Sequence, residues 1–317
     1  MVKNYNEFNQ RRPGDARMKI LIVGSKGMLG SECEAVLSED YEVVAPSRKQ
    51  MDIVRWDGVI ENLQKISPDV VLNCAGFTDV DACETEDFLV RKINIEGPRN
   101  LAQCSARFQC KLVHISSDYV FDGQKMMPQP YFEDDALNPI SAYGRSKVDS
   151  EVAVRDNSPN YIIVRSGWLY GIKGKNFVKS IVTKAMQGRG KALMVVNDQF
   201  GSPTWAYRLA TQIRELIRND GRGTYHATAE GYCSRFEYAT YLLEKLGIKA
   251  TVEPCRMKDL EGFSARRPAN CLLENRSLRK QGINVMINWK QDLDAFLETS
   301  GDELIKMAET AKPEKSL

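Results

Sequence analysis

Lys19-Ile20-Leu21-Ile22-Val23 runs without a break into Gly24-Ser25-Lys26-Gly27-Met28-Leu29-Gly30, and this junction decides the fold. A short apolar run that stops at glycines reads as a buried strand. The G-x-x-G-x-x-G spacing then opens a helix, predicted over 30–37. Glycines let a backbone approach a pyrophosphate, and the amides of a helix N-terminus attract its charge. No Lys-Ser/Thr pair follows the last glycine, so this is not the triphosphate loop of the P-loop type. Gly24, Gly27, Met28, Leu29 and Gly30 are therefore candidate cofactor-binding residues.

Outward from this junction, strands are predicted at 41–45, 70–74, 111–116 and 161–166, with helices at 56–65, 88–104 and 140–156 between them. Short apolar strands separated by helices imply a parallel sheet covered on both faces, a doubly wound (Rossmann) α/β fold. After residue 166 the pattern loosens. Helices are predicted at 176–187, 206–217, 234–246 and 291–299, and strands at 193–196 and 224–227. The expected layout is a flexible polar extension over 1–17 and a dinucleotide-binding domain over 18–166. A smaller, mainly substrate-binding lobe then covers 167–300, with segments returning to the main domain, and a polar tail covers 301–317.

Composition narrows the function classes. Lys and Arg number 44 against 42 Asp and Glu, so no global field draws nucleic acid or an anionic membrane. A phosphate-bearing ligand must be met by local positive charge. Eight cysteines contain no Cys-x-x-Cys pair, and the two histidines are His114 and His226, so no zinc site is expected. No apolar run is long enough to span a bilayer, and the first 17 residues lack the apolar segment of a signal peptide. A cytoplasmic location is the expectation.

The second predicted strand ends in Ala45-Pro46-Ser47-Arg48-Lys49. No acid stands there to hold the ribose hydroxyls of NAD. Arg48, with Ser47, suits a 2′-phosphate, because a guanidinium matches phosphate oxygens; a solvated basic turn is the competing reading. Asp52-Ile53 falls where adenine would lie, although Asp52 equally suits a helix N-cap. The third strand ends in Asn73-Cys74-Ala75-Gly76, at the same carboxyl edge.

The fourth strand delivers Ser116-Ser117-Asp118 to that edge, and Tyr143-Gly144-Arg145-Ser146-Lys147 follows on a helix. Tyr143 and Lys147, four apart, share one helix face. An ammonium beside a phenol is expected to lower its pKa from the ordinary value of about 10, which makes Tyr143 a usable acid or base. The Ser117 hydroxyl is placed to hydrogen-bond a carbonyl under reduction. No G-x-S-x-G elbow is present, His114 sits inside a strand, and His226 reads as core or loop, so a serine hydrolase is excluded.

Taken together, these segments resemble the dTDP-4-dehydrorhamnose reductase family of extended short-chain dehydrogenases. The resemblance runs from residue 18 to about residue 299. It is carried by Ser116-Ser117-Asp118-Tyr119-Val120-Phe121-Asp122-Gly123, by Asn138-Pro139 with Tyr143 to Lys147, by Arg165-Ser166-Gly167-Trp168-Leu169-Tyr170-Gly171, and by Asn197-Asp198-Gln199-Phe200-Gly201-Ser202-Pro203-Thr204; Arg267-Pro268 resembles the family's late Arg-Pro element. The resemblance implies a catalytic triad of Ser117, Tyr143 and Lys147, with serine where the family usually has threonine. It implies Ser117, Asp118, Trp168 and Arg267 as substrate-pocket residues. Cys74, Ala75, Gly76 and Thr78 would line the cofactor, and Asn94 would be the helix asparagine that supports the lysine. The implied reaction is NADPH-dependent reduction of the C4 ketone of dTDP-4-dehydro-L-rhamnose, with NADH as the open alternative. A homodimer, and a divalent ion at its contact with no ligands placed, are further implications.

Two rivals follow from the same residues. A nucleotide-sugar dehydratase or epimerase shares the scaffold, but dehydration needs an Asp-Glu pair beside the serine or threonine, and here Tyr119 follows Asp118. A non-catalytic NADP-binding subunit, resembling the regulatory subunit of methionine adenosyltransferase, would keep the fold without the chemistry. Intact Ser117, Tyr143 and Lys147 favour an enzyme.

Overall fold

The computed structural model describes residues 17–188 and 191–311; the expectations for residues 1–16 and 312–317 lie outside them. The chain runs β1 (Lys19–Val23), α1 (Met28–Leu37), β2 (Glu42–Val44), α2 (Trp56–Ile66) and β3 (Val70–Asn73), then α3 (Asp87–Val90) and α4 (Gly97–Arg107). β4 (Lys111–Ser117), α5 (Ala142–Asn157) and β5 (Tyr161–Ser166) complete the first half. The second half contains β6 (Leu169–Tyr170), α6 (Phe177–Gln187), β7 (Leu193–Val196), β8 (Phe200–Gly201), β9 (Thr204–Trp205), α7 (Ala206–Arg218) and β10 (Gly223–His226). It ends with β11 (Cys233–Ser234), α8 (Arg235–Lys245), β12 (Val252–Cys255), α9 (Arg276–Lys280) and α10 (Trp289–Thr310).

Six parallel strands form the main sheet in the order β10-β5-β4-β3-β1-β2. All four residues of β3 are buried, as are most of β1, β4 and β5, which is why these strands read as apolar runs rather than alternating ones. One face is covered by α1 and α7, through Cys33, Val36, Leu37, Leu209, Ile213 and Leu216. Val59 and Leu63 of α2 and Leu101 of α4 cover the other. The chain turns outward from β1 to β2, then crosses back to β3. The crevice between β1 and β3 is thus the switch point at which open α/β sheets bind ligands. A second core joins α6, α8 and α10 through Val178, Val182, Tyr238, Leu242, Leu293 and Phe296.

Two elements depart from the sequence reading, and a third shows where a second-half segment returns to the main domain. The helix expected over 88–104 is interrupted by a π-helical turn, Arg91–Glu96, between α3 and α4. Pro98 has no N–H to return to the Asn94 carbonyl, so the regular ladder cannot pass this point. The strand expected over 224–227 is β10, which pairs with β5 at the edge of the main sheet. The helix expected to stop at 299 continues to Thr310. Gly301 does not end it, and the residue is buried within the helix, where even an added Cβ would stand in ordinary contact with Leu246 Cδ2 at 3.4 Å. The stretch 301–310 therefore belongs to the second core and not to a polar tail. Leu304, 2% exposed, provides the check. Leu304→Ala should lower unfolding free energy by about 2–5 kcal/mol in a denaturant titration, whereas a change below about 0.5 kcal/mol would be that of a surface residue.

Candidate active site

The glycine loop and the ends of β2 and β3 enclose a cleft of about 320 Å³. Gly24 has a φ of +78°, and a Cβ there would stand 2.6 Å from the Ala75 amide nitrogen. Only glycine lets the two strand ends meet this closely. A Cβ on Gly30 would lie 2.2 Å from the Gly24 carbonyl oxygen, so this glycine serves the packing of α1 on its own loop. Gly27 caps α1 with no side chain on its amides and no acid in the first turn. Ser25 Oγ lies buried beside them with no hydrogen-bond partner. Free amides, an orphaned hydroxyl and a glycine cradle fit the pyrophosphate of a dinucleotide.

Of the sequence-predicted cofactor residues, Gly24, Gly27, Ser47, Arg48, Asp52, Ile53, Cys74, Ala75 and Gly76 line this cleft. Leu29 is a core residue instead, and Met28 packs near Gly171 and Asn176. Thr78 is exposed and lies off the cleft wall. Arg48 is held 3.8 Å from Asp52 Oδ2 with most of its side chain in solvent. Ser47 is tied through its amide and hydroxyl to Gln50 Oε1. Sequence reasoning missed Ser25, Phe77 and Ile93, which also line the cleft. Ser25 lay inside the quoted glycine motif, whereas nothing local marks Ile93.

At the neighbouring edge, Ser117 ends β4 and Ser141 caps α5 by accepting from the Gly144 amide at 3.1 Å. These two elements bring the Ser117 hydroxyl beside the Tyr143 phenol. Ser117 Oγ donates to Asp118 Oδ1 at 2.8 Å and accepts from the Tyr119 amide at 3.2 Å. Lys147 points elsewhere than expected. Its Nζ donates to the Ile115 carbonyl at 2.7 Å, and burial pulls its pKa down to about 8. Burial likewise pushes the Tyr143 phenol up, with the Ser117 hydrogen bond opposing it. The expected lowering of the tyrosine by the lysine is therefore not found, because the ammonium is spent on a main-chain carbonyl.

Asn94 also differs from expectation. It accepts from the Phe77 amide at 2.7 Å and donates to the Phe77 carbonyl and Ser146 Oγ, so it bridges the cofactor edge to α5 without touching Lys147. His114 accepts from Asn73 Nδ2 through Nδ1 and meets Ser150 through Nε2, which makes it a neutral core residue.

On the substrate side, Asp118 is 3% exposed and its Oδ2 has no hydrogen-bond partner. A Cβ at Gly167 would stand 2.2 Å from that oxygen, so the Gly167 turn is built around the carboxylate. Trp168 follows with a φ of +52°, a left-handed conformation costly for a bulky residue. Its ring is half-buried beneath the Arg235 guanidinium, at 3.5 Å. Arg267 does not point freely into the pocket, because it pairs with Asp81 and donates to the Ala265 carbonyl. Asp81, which no motif announced, also accepts from the Ser264 and Ala265 amides and ties the two halves of the chain across the edge. Among the described residues no group of three or more His, Cys, Asp or Glu side chains is placed to hold a metal ion, and no helix is long and apolar enough to cross a membrane.

A dinucleotide-type crevice and a phenol beside a serine hydroxyl on adjoining strand ends of one sheet define an oxidoreductase of the short-chain dehydrogenase class. A family model described as the RmlD substrate binding domain matches residues 18–301, and the chain belongs to the dTDP-4-dehydrorhamnose reductase family. It is similar to a dTDP-4-dehydrorhamnose reductase of Clostridium acetobutylicum, with a TM-score of 0.85 and 37% identity over 89% of this chain and 99% of that one. The dTDP-4-dehydrorhamnose reductase of Bacillus anthracis, solved in complex with NADP, has a TM-score of 0.85 and 35% identity over 89% and 99%. A Streptomyces antibioticus protein named as a probable dTDP-4,6-dihydroxy-2-methyloxan-3-one 4-ketoreductase is 36% identical over 88% of this chain and 95% of its own.

The buried Asp118 carboxyl yields a pH test. Burial raises its pKa from 3.8 to about 6, against the Ser117 and Cys271 hydrogen bonds and the Arg235 charge. The folded state therefore holds this proton after the unfolded chain has released it, and stability falls as pH rises between those two values. Relative to Asp118→Asn, the wild-type unfolding free energy should fall by roughly 2 kcal/mol between pH 4 and pH 6. Parallel curves for the two proteins would place the Asp118 pKa near its ordinary value.

Proposed function

We propose that this protein is a cytoplasmic enzyme that reduces the C4 ketone of dTDP-4-dehydro-L-rhamnose to dTDP-L-rhamnose with NADPH. The observation that carries the reading is the Tyr143 phenol lying beside the Ser117 hydroxyl, set on the edge next to the glycine cleft. Gly24, Ser25 and the amides at the start of α1 would hold the pyrophosphate, and Arg48 the 2′-phosphate. When bound, NADPH supplies the hydride for the sugar carbon. The residues of this chain do the rest. Ser117 orients the ketone oxygen, and Tyr143 gives its proton to the alkoxide as that charge forms. A phenol held above its ordinary pKa keeps its proton until then, as the reducing direction requires. Lys147, its pKa pulled down to about 8, would hold the nicotinamide ribose with the N–H donors that its bond to the Ile115 carbonyl leaves over. Trp168 would form the sugar wall, with the buried Asp118 carboxyl behind it under the Gly167 turn.

A second reading is reduction of a related 4-keto sugar nucleotide, favoured by the similarity to the Streptomyces ketoreductase. Turnover of purified protein with NADPH and a panel of 4-keto sugar nucleotides separates the two. Activity on none of them, with cofactor bound, would restore the non-catalytic reading.

Tyr143→Phe should bind NADPH nearly as wild type does while losing roughly 10²-fold or more in turnover. Turnover within a few-fold of wild type would remove the phenol from its role. Arg48→Ala should weaken NADPH much more than NADH in direct titrations; equal shifts, or a wild type that already prefers NADH, would make Arg48 a surface charge only.

A further inference from the structure

Arg235 opens α8 directly after Ser234, whose capping box with Glu237 fixes where the helix begins. Its guanidinium carbon lies 3.5 Å from the centroid of the Trp168 ring and 4.8 Å from that of Phe177. The cation is thus stacked against two aromatic faces, in the wall that Trp168 builds over the substrate side. Among the described residues no side-chain hydrogen bond and no ion pair holds it. Its charge is felt by Tyr119, Cys271 and Asp118, which places it one layer out from the Ser117–Tyr143 pair.

Such an arrangement lacks a counter-ion. A guanidinium stays charged at any working pH, and burying a charge in part without a partner is unfavourable. Aromatic stacking offsets part of that cost and fixes the plane, but leaves the N–H donors with no protein side chain to bond. Asp118 is too far to form an ion pair, and its free oxygen is sealed beneath Gly167. Arg267 is committed to Asp81 and Lys147 to the Ile115 carbonyl. The neutral hydroxyls of a hexose supply no charge, whereas a diphosphate supplies oxyanions in the planar spacing that a guanidinium fork accepts.

We infer that Arg235 is the oxyanion-binding residue of the substrate pocket and takes the diphosphate of the nucleotide sugar. The inference rests on the nucleotide-sugar reading above and adds the residue that selects for it. In a reductase of this geometry, Trp168 then acts mainly as a platform that holds the guanidinium flat, and the hexose lies between that platform and Tyr143.

The test is calorimetric titration of the full chain, loaded with NADP⁺, with dTDP, dTMP and thymidine. Wild type should bind dTDP more tightly than thymidine by about 10- to 100-fold, the ratio for charge-assisted hydrogen bonds to one cation. Arg235→Gln should lose most of that preference while binding thymidine and NADP⁺ as wild type does. Arg235→Lys, which keeps the charge but loses the fork and the flat stack, should recover part of it. If Arg235→Gln keeps the full dTDP preference, Arg235 does not bind the diphosphate. If it weakens dTDP and thymidine equally, Arg235 only supports Trp168, and the inference also falls. A wild type that binds dTDP no better than thymidine overturns the inference, whereas a wild type that binds neither would remove the thymidine-nucleotide reading itself, so the two failures remain distinguishable.

Discussion

Glu151, a carboxylate with no solvent exposure, holds three elements of the chemical site together. It accepts from Ser116 Oγ of β4 at 2.6 Å and from both Nε and Nη2 of Arg165 on β5 at 2.8 Å, and it also pairs with Arg155 one turn further along α5. Ser116 adjoins Ser117, Arg165 adjoins the Ser166-Gly167-Trp168 turn, and Glu151 lies one helical turn past Lys147. A single buried fork therefore fixes how α5 sits over the ends of β4 and β5. Charge pairs of this kind add little net stability compared with apolar packing, but breaking one strands a buried charge. Their value here is positional, since a rotation of α5 would carry Tyr143 away from Ser117.

Around that fork the ionisable groups of the site all move toward neutrality, and burial is the largest cause each time. Asp118 and Tyr143 are pushed up and Lys147 is pulled down. A site of this sort carries little fixed charge next to the reacting ketone. On the proposed reading, oxyanion charge developing there would meet the Ser117 and Tyr143 hydroxyls in a poorly screened setting, where each hydrogen bond counts for more than in water. The exposed ion pairs at the rim, such as Arg48 with Asp52, do not share this property.

How much of this was legible in the sequence depends on how local the signal is. The glycine loop, the strand ends and the Tyr143–Lys147 spacing were readable because each is set by neighbours in the chain. The sheet was readable because strands buried on both faces are uniformly apolar. Features that join distant segments were not. Asp81 meets Arg267 from 186 positions away, and nothing in the sequence around either residue names the other. Arg235 was passed over because a lone arginine at a helix start looks like any solvated cation until the Trp168 ring is seen beneath it. Lys147 shows the reverse error. Helical spacing correctly put it on the face of Tyr143, but spacing cannot say which oxygen a four-carbon chain will reach, and it reached the Ile115 carbonyl.

Asn94 shows how the cofactor edge and the chemical edge are kept in register. It sits in the π-helical turn that Pro98 imposes between α3 and α4. A regular helix would turn about 100° per residue and would present position 94 along a different line; the wider turn aims its amide at Phe77 on one side and Ser146 on the other. Phe77 follows Gly76 on the cofactor cleft, and Ser146 hydrogen-bonds the Tyr143 carbonyl at 2.7 Å. One buried amide thus spans from the cleft wall to the backbone of the residue that carries the phenol. Such turns persist where a local departure from regular geometry places a functional group. Here the irregularity lets a residue that does not touch Lys147 set the distance between the glycine cleft and the Tyr143 phenol.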